Sequence, residues 1–120
     1  MEHKSDIKQG VGVLMPAISK GTGTHSEPLQ AAVARLLDEI TAEPAGTPSI
    51  LINLEQLSFI DSNFLGALVK CLKLTLKKNG ELALCNLQAP VKSMFELTRL
   101  YNIFKIYESE AEALRTLTQP

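Results

Sequence analysis

The 120-residue chain is poor in the residues that most often carry chemistry. It has two cysteines, two histidines and no excess of charge, with 12 Lys and Arg against 13 Asp and Glu for a formal net charge of −1. That balance leaves no electrostatic footprint for nucleic acid, because neutralising phosphates needs a local surplus of cations. Cys71 and Cys85 lie far apart with no Cys or His at ligand spacing, so the four converging donors of a zinc site are not in view. Two reduced thiols in or near the core are expected instead. His3, in a frayed terminus, and His25, beside a Gly/Thr loop, are expected to be solvated, and neither belongs to a recognisable catalytic triad sequence. There is no Gly-rich phosphate loop ending in Lys-Ser/Thr. No apolar run approaches the ~20 residues of a membrane span. The polar start Met1-Glu2-His3-Lys4-Ser5-Asp6 has no secretory h-region, so a cytoplasmic protein without direct membrane insertion is expected.

What is present is the composition of an ordinary globular chain, 45% hydrophobic and 21% charged, with no internal repeat and no linker long enough to divide it. One domain over residues 1–120 follows from the size prior. The segment from Ile7 through Val11 to Ile18, interrupted by Gly10 and Gly12, predicts a two-stranded hairpin. Ser19 to Ser26, "SKGTGTHS", reads as a loop, with Ser26 the N-cap of a helix whose apolar stripe is Leu29, Ala32, Val33, Leu36, Leu37 and Ile40. "EPAGTP", Glu43 to Pro48, stops it. Ser49 to Leu54, "SILINL", is apolar on both faces and predicts the central strand of the sheet.

A second helix is expected to place Leu65, Leu68, Val69, Leu72 and Leu76 inward and Lys70, Lys73 and Lys77 on a solvated face, ending at Asn79-Gly80. "ELALCN", Glu81 to Asn86, restarts a strand, and Pro90 opens a short helix with Val91, Met94, Phe95 and Thr98 on one side. "FKIY", Phe104 to Tyr107, is a last strand, and Ser109-Glu110-Ala111-Glu112 forms the capping-box pattern of a final helix. This alternation predicts an α/β fold: a mixed, mainly parallel sheet of four to five strands flanked by about four helices, since parallel strands need helical crossovers.

In such sheets functional groups gather where strands end and helices begin. "FIDSNFLGALVKCL", residues 59–72, puts Asp61, Ser62 and Asn63 at such a junction. Either Asp61 or Ser62 could cap the helix with its side-chain oxygen and do nothing more. Alternatively, a hydroxyl at a helix N-terminus stands where the dipole and free N–H groups favour an added phosphate. Spacing alone leaves both open.

The runs "ILINLEQLSFIDSNFLGALV" and "GELALCNLQAPVKSMFELTRLYNIFKIYESEAEALRTL" resemble the bacterial STAS domain, and within it the anti-sigma factor antagonists, from about Ser49 to Leu117. Family members carry Asp-Ser-(Ser/Thr)-Gly-Leu at the start of the second helix, the first Ser being the phosphoacceptor. Asp61, Ser62 and Leu65 match, so the resemblance makes Ser62 the phosphorylation site and Asp61, Ser62, Asn63 and Phe64 the partner-binding surface. Asn63 stands where the family has a second hydroxyl and Phe64 where it has glycine. Ser19-Lys20-Gly21-Thr22 occupies the place of a Gly-x-Leu-Asp-like turn and lacks its acid. Phe64, on the flank of the apolar stripe with Cys71 and Thr75, is either tucked against the preceding loop or a partly exposed aromatic anchor for a partner.

The resemblance implies a switch. Unmodified protein binds an anti-sigma factor that is also a serine kinase; phosphorylation of Ser62 releases it and a serine phosphatase restores binding. The chain itself catalyses nothing and needs no cofactor, ATP and magnesium belonging to the kinase. A weak homodimer is left open beside a monomer. The alternative reading is a STAS regulatory subunit of a lipid-type ABC transporter, using the same surface without phosphorylation.

Overall fold

The computed structural model describes residues 1–41 and 46–119. The chain opens with a hairpin, β1 (His3–Lys8) and β2 (Val11–Pro16). Gln9 and Gly10, with φ of 54° and 82°, supply the two positive-φ residues that a type I′ hairpin turn requires. After β3 (Lys20–Gly21) and a 3-10 turn at Gly23–His25 come α1 (Ser26–Thr41), β4 (Ser49–Asn53), β5 (Phe59–Ile60) and α2 (Ser62–Lys77). The chain continues through β6 (Glu81–Cys85), α3 (Ala89–Leu97), a second 3-10 turn at Leu100–Asn102, β7 (Lys105–Tyr107) and α4 (Glu110–Leu117). The five-stranded sheet runs β1-β2-β4-β6-β7; β1 is antiparallel to β2 and every other neighbouring pair is parallel. The expected mixed α/β architecture is therefore observed, with β4 at the centre and all five of its residues buried.

Strand alternation divides the core in two. Leu14, Ile50, Ile52, Leu82 and Leu84 pack with apolar residues of α1, α2 and α3 on one face. Val11, Val13, Leu51, Ala83 and Cys85 pack on the other with Ala113 and Leu114 of α4. The α1 stripe is buried as its spacing predicts. Cys71 and Cys85 are buried free thiols, each pushed up to about 12 chiefly by desolvation, which keeps them protonated and unreactive.

Four local expectations are corrected. The stretch 19–26 is not a plain loop: Lys20–Gly21 pairs in parallel with Phe59–Ile60 as a separate two-stranded sheet. Ser26 is not the N-cap, because the 3-10 turn runs directly into α1; Thr22 has the extended cap conformation and Ser26 is already helical. His3 lies within β1 and His25 closes the 3-10 turn, both half-buried rather than freely solvated. The buried face of α2 is Phe64, Leu65, Ala67, Leu68, Cys71 and Thr75, with Val69 and Leu72 only half-buried and Leu76 exposed. Burying Thr75 is tolerated because its hydroxyl donates to the Cys71 carbonyl at 2.8 Å. Lys70, Lys73 and Lys77 are exposed as expected. Asn79 takes the left-handed conformation after α2 at φ 59°. The stop segment Glu43 to Pro48 falls partly outside the described residues.

A polar network ties α4 to the sheet. Lys8 Nζ lies 2.7 Å from Glu110 Oε2, and the amide nitrogen of Asn53, 3% exposed, donates to Glu110 Oε1 at 3.2 Å and to Glu55 Oε1 at 3.0 Å. Asn53 Oδ1 accepts from the Glu55 N–H and from the side chain of Asn86, so this buried amide is satisfied at both ends. The Lys8 hydrogen bond, then that of Asn53, hold the Glu110 carboxyl below its ordinary value of 4.5 against the opposing effect of burial. Glu110 likewise raises Lys8 above 10.5. A depressed carboxylate contributes stability that is present above its unfolded value and lost as pH falls through its folded one; a raised lysine contributes below its unfolded value and loses it as pH rises through the folded one. Glu110→Gln is expected to lower the melting temperature at neutral pH and to flatten the acid decline below pH 4.5, as thermal unfolding followed across pH will read.

Candidate functional site

The site grows from the end of β5. Asp61 leaves the strand extended, at φ −93° and ψ 175°, and becomes the N-cap of α2. Its Oδ1 accepts from the Phe64 N–H at 2.8 Å, the bond expected of a helix cap. Its Oδ2 accepts from the Gly23 N–H at 3.1 Å, reaching across to the loop before α1. Its own N–H donates to the Gly21 carbonyl at 2.9 Å and its carbonyl accepts from Leu65 at 3.1 Å. Asp61 thus joins three elements, and of the two capping candidates it is the one that caps.

Ser62 is the first residue of α2 and is exposed. With Asp61 serving as the cap, its hydroxyl takes part in no hydrogen bond among the described residues and stands free at the positive end of the helix. Asn63, also exposed, faces the loop: a Cβ built on Gly23 would lie 3.2 Å from its Nδ2. The Ser26 hydroxyl donates to the Asn63 carbonyl at 3.2 Å, tying the start of α1 to the start of α2. Ser62, Asn63, Gly66 and Lys70 line one wall of an open cleft whose other wall is the 3-10 turn at Gly23 and Thr24 and the start of α1 at Ser26, Glu27 and Gln30.

Of the two alternatives for Phe64, the structure takes the one tucked against the preceding loop, and its place on the partner-binding surface is corrected. Its side chain is 0% exposed and belongs to the main core cluster, so it is not a surface anchor. A Cβ built on Gly21 would come within 2.8 Å of its ring, closer than any real contact. The ring therefore lies flat beneath the β3 backbone, and Gly21 is the residue that lets it. A bulky side chain at a motif glycine is absorbed inward, beneath the loop, and leaves the surface around Ser62 to small and polar groups. Composition gave no sign that Gly21 and Gly23 would serve the site. The only trace in sequence is the Gly-Thr-Gly spacing, which puts two residues lacking Cβ where Phe64 and Asn63 press.

Two substitutions probe this framework. Asp61→Ala, which removes the cap and the tether to Gly23, is expected to cost about 1–2 kcal/mol in urea unfolding. Phe64→Ala, which leaves a cavity under β3, is expected to cost about 3–5 kcal/mol by the same measurement. Equal, near-zero costs would mean that neither residue holds the junction.

The family model described as STAS domain matches residues 9–113. The anti-sigma F factor antagonist of Paenibacillus polymyxa is 37% identical over 117 residues, covering 98% of this chain and 97% of that one. A Thermotoga maritima protein solved by crystallography superposes with a TM-score of 0.83 at 25% identity, covering 98% of this chain and 95% of that one. The anti-sigma factor antagonist SpoIIAA, solved in its unphosphorylated form, shares the fold with a TM-score of 0.71 at 16% identity, covering 99% and 100% of the two chains. With the family match running from the hairpin into α4 and enclosing the whole junction, the chain belongs to the STAS domain family.

Proposed function

We propose that this chain is an anti-sigma factor antagonist, a binding module whose association is switched by phosphorylation of Ser62. The observation that carries the reading is the arrangement at the head of α2: an exposed serine hydroxyl with no hydrogen-bond partner among the described residues, beside a capping aspartate that needs nothing from it. A near-full-length relative bearing the antagonist name supports this role over that of a transporter subunit. No described helix is long and apolar enough to cross a membrane.

The mechanism follows from charge. A partner kinase transfers the γ-phosphoryl group of ATP to Ser62 Oγ; the new O–P bond forms as the bond to ADP breaks, and the hydroxyl proton leaves to the kinase or solvent. The phosphate adds about −1.5 to −2 charges at pH 7. Locally it is tolerated, since the N–H groups of Ser62 and Asn63 at the helix start are not used by Asp61 and can meet it. Toward a partner the effect is opposite. The anti-sigma factor, seated on Ser62, Asn63 and the adjoining cleft, meets a bulky dianion beside the Asp61 carboxylate and must desolvate both. A serine phosphatase hydrolyses the ester and restores the binding surface.

Incubation with the cognate kinase and ATP is expected to produce a phosphoprotein, and Ser62→Ala to abolish it while still binding the anti-sigma factor. Ser62→Asp is expected to keep the unfolding free energy within about 0.5 kcal/mol of wild type, an acid in the first helical turn being tolerated, and to weaken binding by about tenfold or more in calorimetry. Undiminished affinity of Ser62→Asp, together with phosphate on another residue, would remove Ser62 from the switch.

A further inference from the structure

Among the described residues the outer edge of β1 pairs with no other strand, and its hydrogen-bond parity and charge order are self-complementary. β1 pairs with β2 so that Lys4, Asp6 and Lys8 stand opposite Met15, Val13 and Val11 around a two-residue turn. In such a hairpin the residues flanking the turn exchange both main-chain hydrogen bonds, and alternate pairs do so along the ladder. The Ala17 N–H bond to the Glu2 carbonyl, 2.8 Å, fixes the same parity at the far end. The even-numbered residues of β1 therefore direct their N–H and C=O groups inward to β2, and His3, Ser5 and Ile7 direct theirs outward. Pro16, opposite His3, sits where no N–H is asked of it by β1. The edge is exposed, and Ile7 keeps 46% of its surface accessible. At the other edge of the sheet β7 is only three residues long.

We propose that this edge pairs with the β1 edge of a second copy of the chain, antiparallel, with the two-fold axis through Ser5. Parity allows only registers that match odd residues with odd ones. Centring on Ser5 puts His3 opposite Ile7 in hydrogen-bonded positions. It puts Lys4 opposite Asp6 and Glu2 opposite Lys8 in the closer non-hydrogen-bonded positions, each pair occurring twice by symmetry. Every cross-strand charge pair is then of opposite sign. Centring on Asp6 puts Asp6 on Asp6 once and Lys4 on Lys8 twice, three like-charge contacts. Centring on Ile7 puts Ser5 opposite Gln9, whose φ of 54° belongs to the turn and not to a strand, and so carries the turn into the ladder.

The edge also carries its own guard. Asp6 Oδ1 accepts from the outward Ile7 N–H at 2.8 Å, capping it in the single chain. On pairing, that N–H passes to the His3 carbonyl of the second copy and the freed carboxylate meets the Lys4 ammonium of the second copy. A six-residue edge buries far less than the roughly 1,200 Å² of a stable complex, so the association is weak, on the scale of about 0.1–1 mM. None of these residues belongs to the Ser62 site, so the proposal does not rest on the function assigned above.

Sedimentation equilibrium between about 10 µM and 1 mM tests it on the full chain, the range bracketing that affinity. Wild type is expected to move from monomer toward dimer, and Lys4→Glu or Asp6→Lys alone to weaken association by about tenfold or more, each placing like charges opposite each other twice. The Lys4→Glu/Asp6→Lys double variant, and an equimolar mixture of the two single variants, are expected to associate as wild type does. Amide exchange at high concentration should slow at His3, Ser5 and Ile7 and remain unchanged at Lys4, Asp6 and Lys8. A monomer throughout the range, single variants that associate undiminished, or protection appearing away from β1 would each overturn the proposal.

Discussion

The junction between β5 and α2 depends on one carboxylate. Asp61 spends one oxygen on the helix it starts and the other on the loop that precedes α1, while its main chain bonds to β3. An N-cap ordinarily satisfies one orphan donor at a helix end; this one also fixes the position of a second helix relative to the first. Because those bonds use only Asp61, the neighbouring hydroxyl is left over. Ser62 keeps its hydroxyl unused among the described residues because Asp61 supplies the cap.

That division of labour suits a charge switch. A modified residue that also capped its helix would loosen the fold each time it was modified, and stability would be coupled to signalling. Here the cap, the tether to Gly23 and the Phe64 ring beneath Gly21 hold the site from below. Ser62, the proposed phosphoacceptor, faces solvent at the end of a helix dipole that favours an anion. Under the proposed switch, a phosphate on Ser62 would alter what the surface presents without touching the packing under it.

The second face of the sheet is built on a different principle. There a single short helix, α4, covers Val11, Leu51 and Cys85, and a network through Lys8, Glu110, Asn53 and Asn86 fastens it. Asn53 is the member that makes the network coherent, since a buried amide must satisfy donor and acceptor together. Beyond that network the sheet ends at β1, whose outward main-chain groups are shielded in the single chain by little more than Asp6.

Much of the fold was legible in the sequence. The continuous apolar run Ser49 to Leu54 marked the central strand, the Leu29-to-Ile40 stripe marked α1, and Ser109 with Glu112 marked the start of α4, because each signal is local and periodic. The position of Ser62 at a helix start was equally local. What the sequence could not decide was anything that required two distant segments to meet. The rotation of α2, with Leu76 outside and Thr75 inside, follows from where that helix lies on the sheet and against α1. The two-stranded pairing of Lys20–Gly21 with Phe59–Ile60 joins segments 39 positions apart, and neither is long enough to announce itself. The burial of Phe64 followed from that pairing, for only when β3 crosses the head of α2 does glycine at position 21 become a place for a ring to go. Local periodicity is written along the chain; the choice between an exposed and a buried aromatic at the edge of a stripe belongs to whatever lies across from it, and only the folded chain brings that neighbour into place.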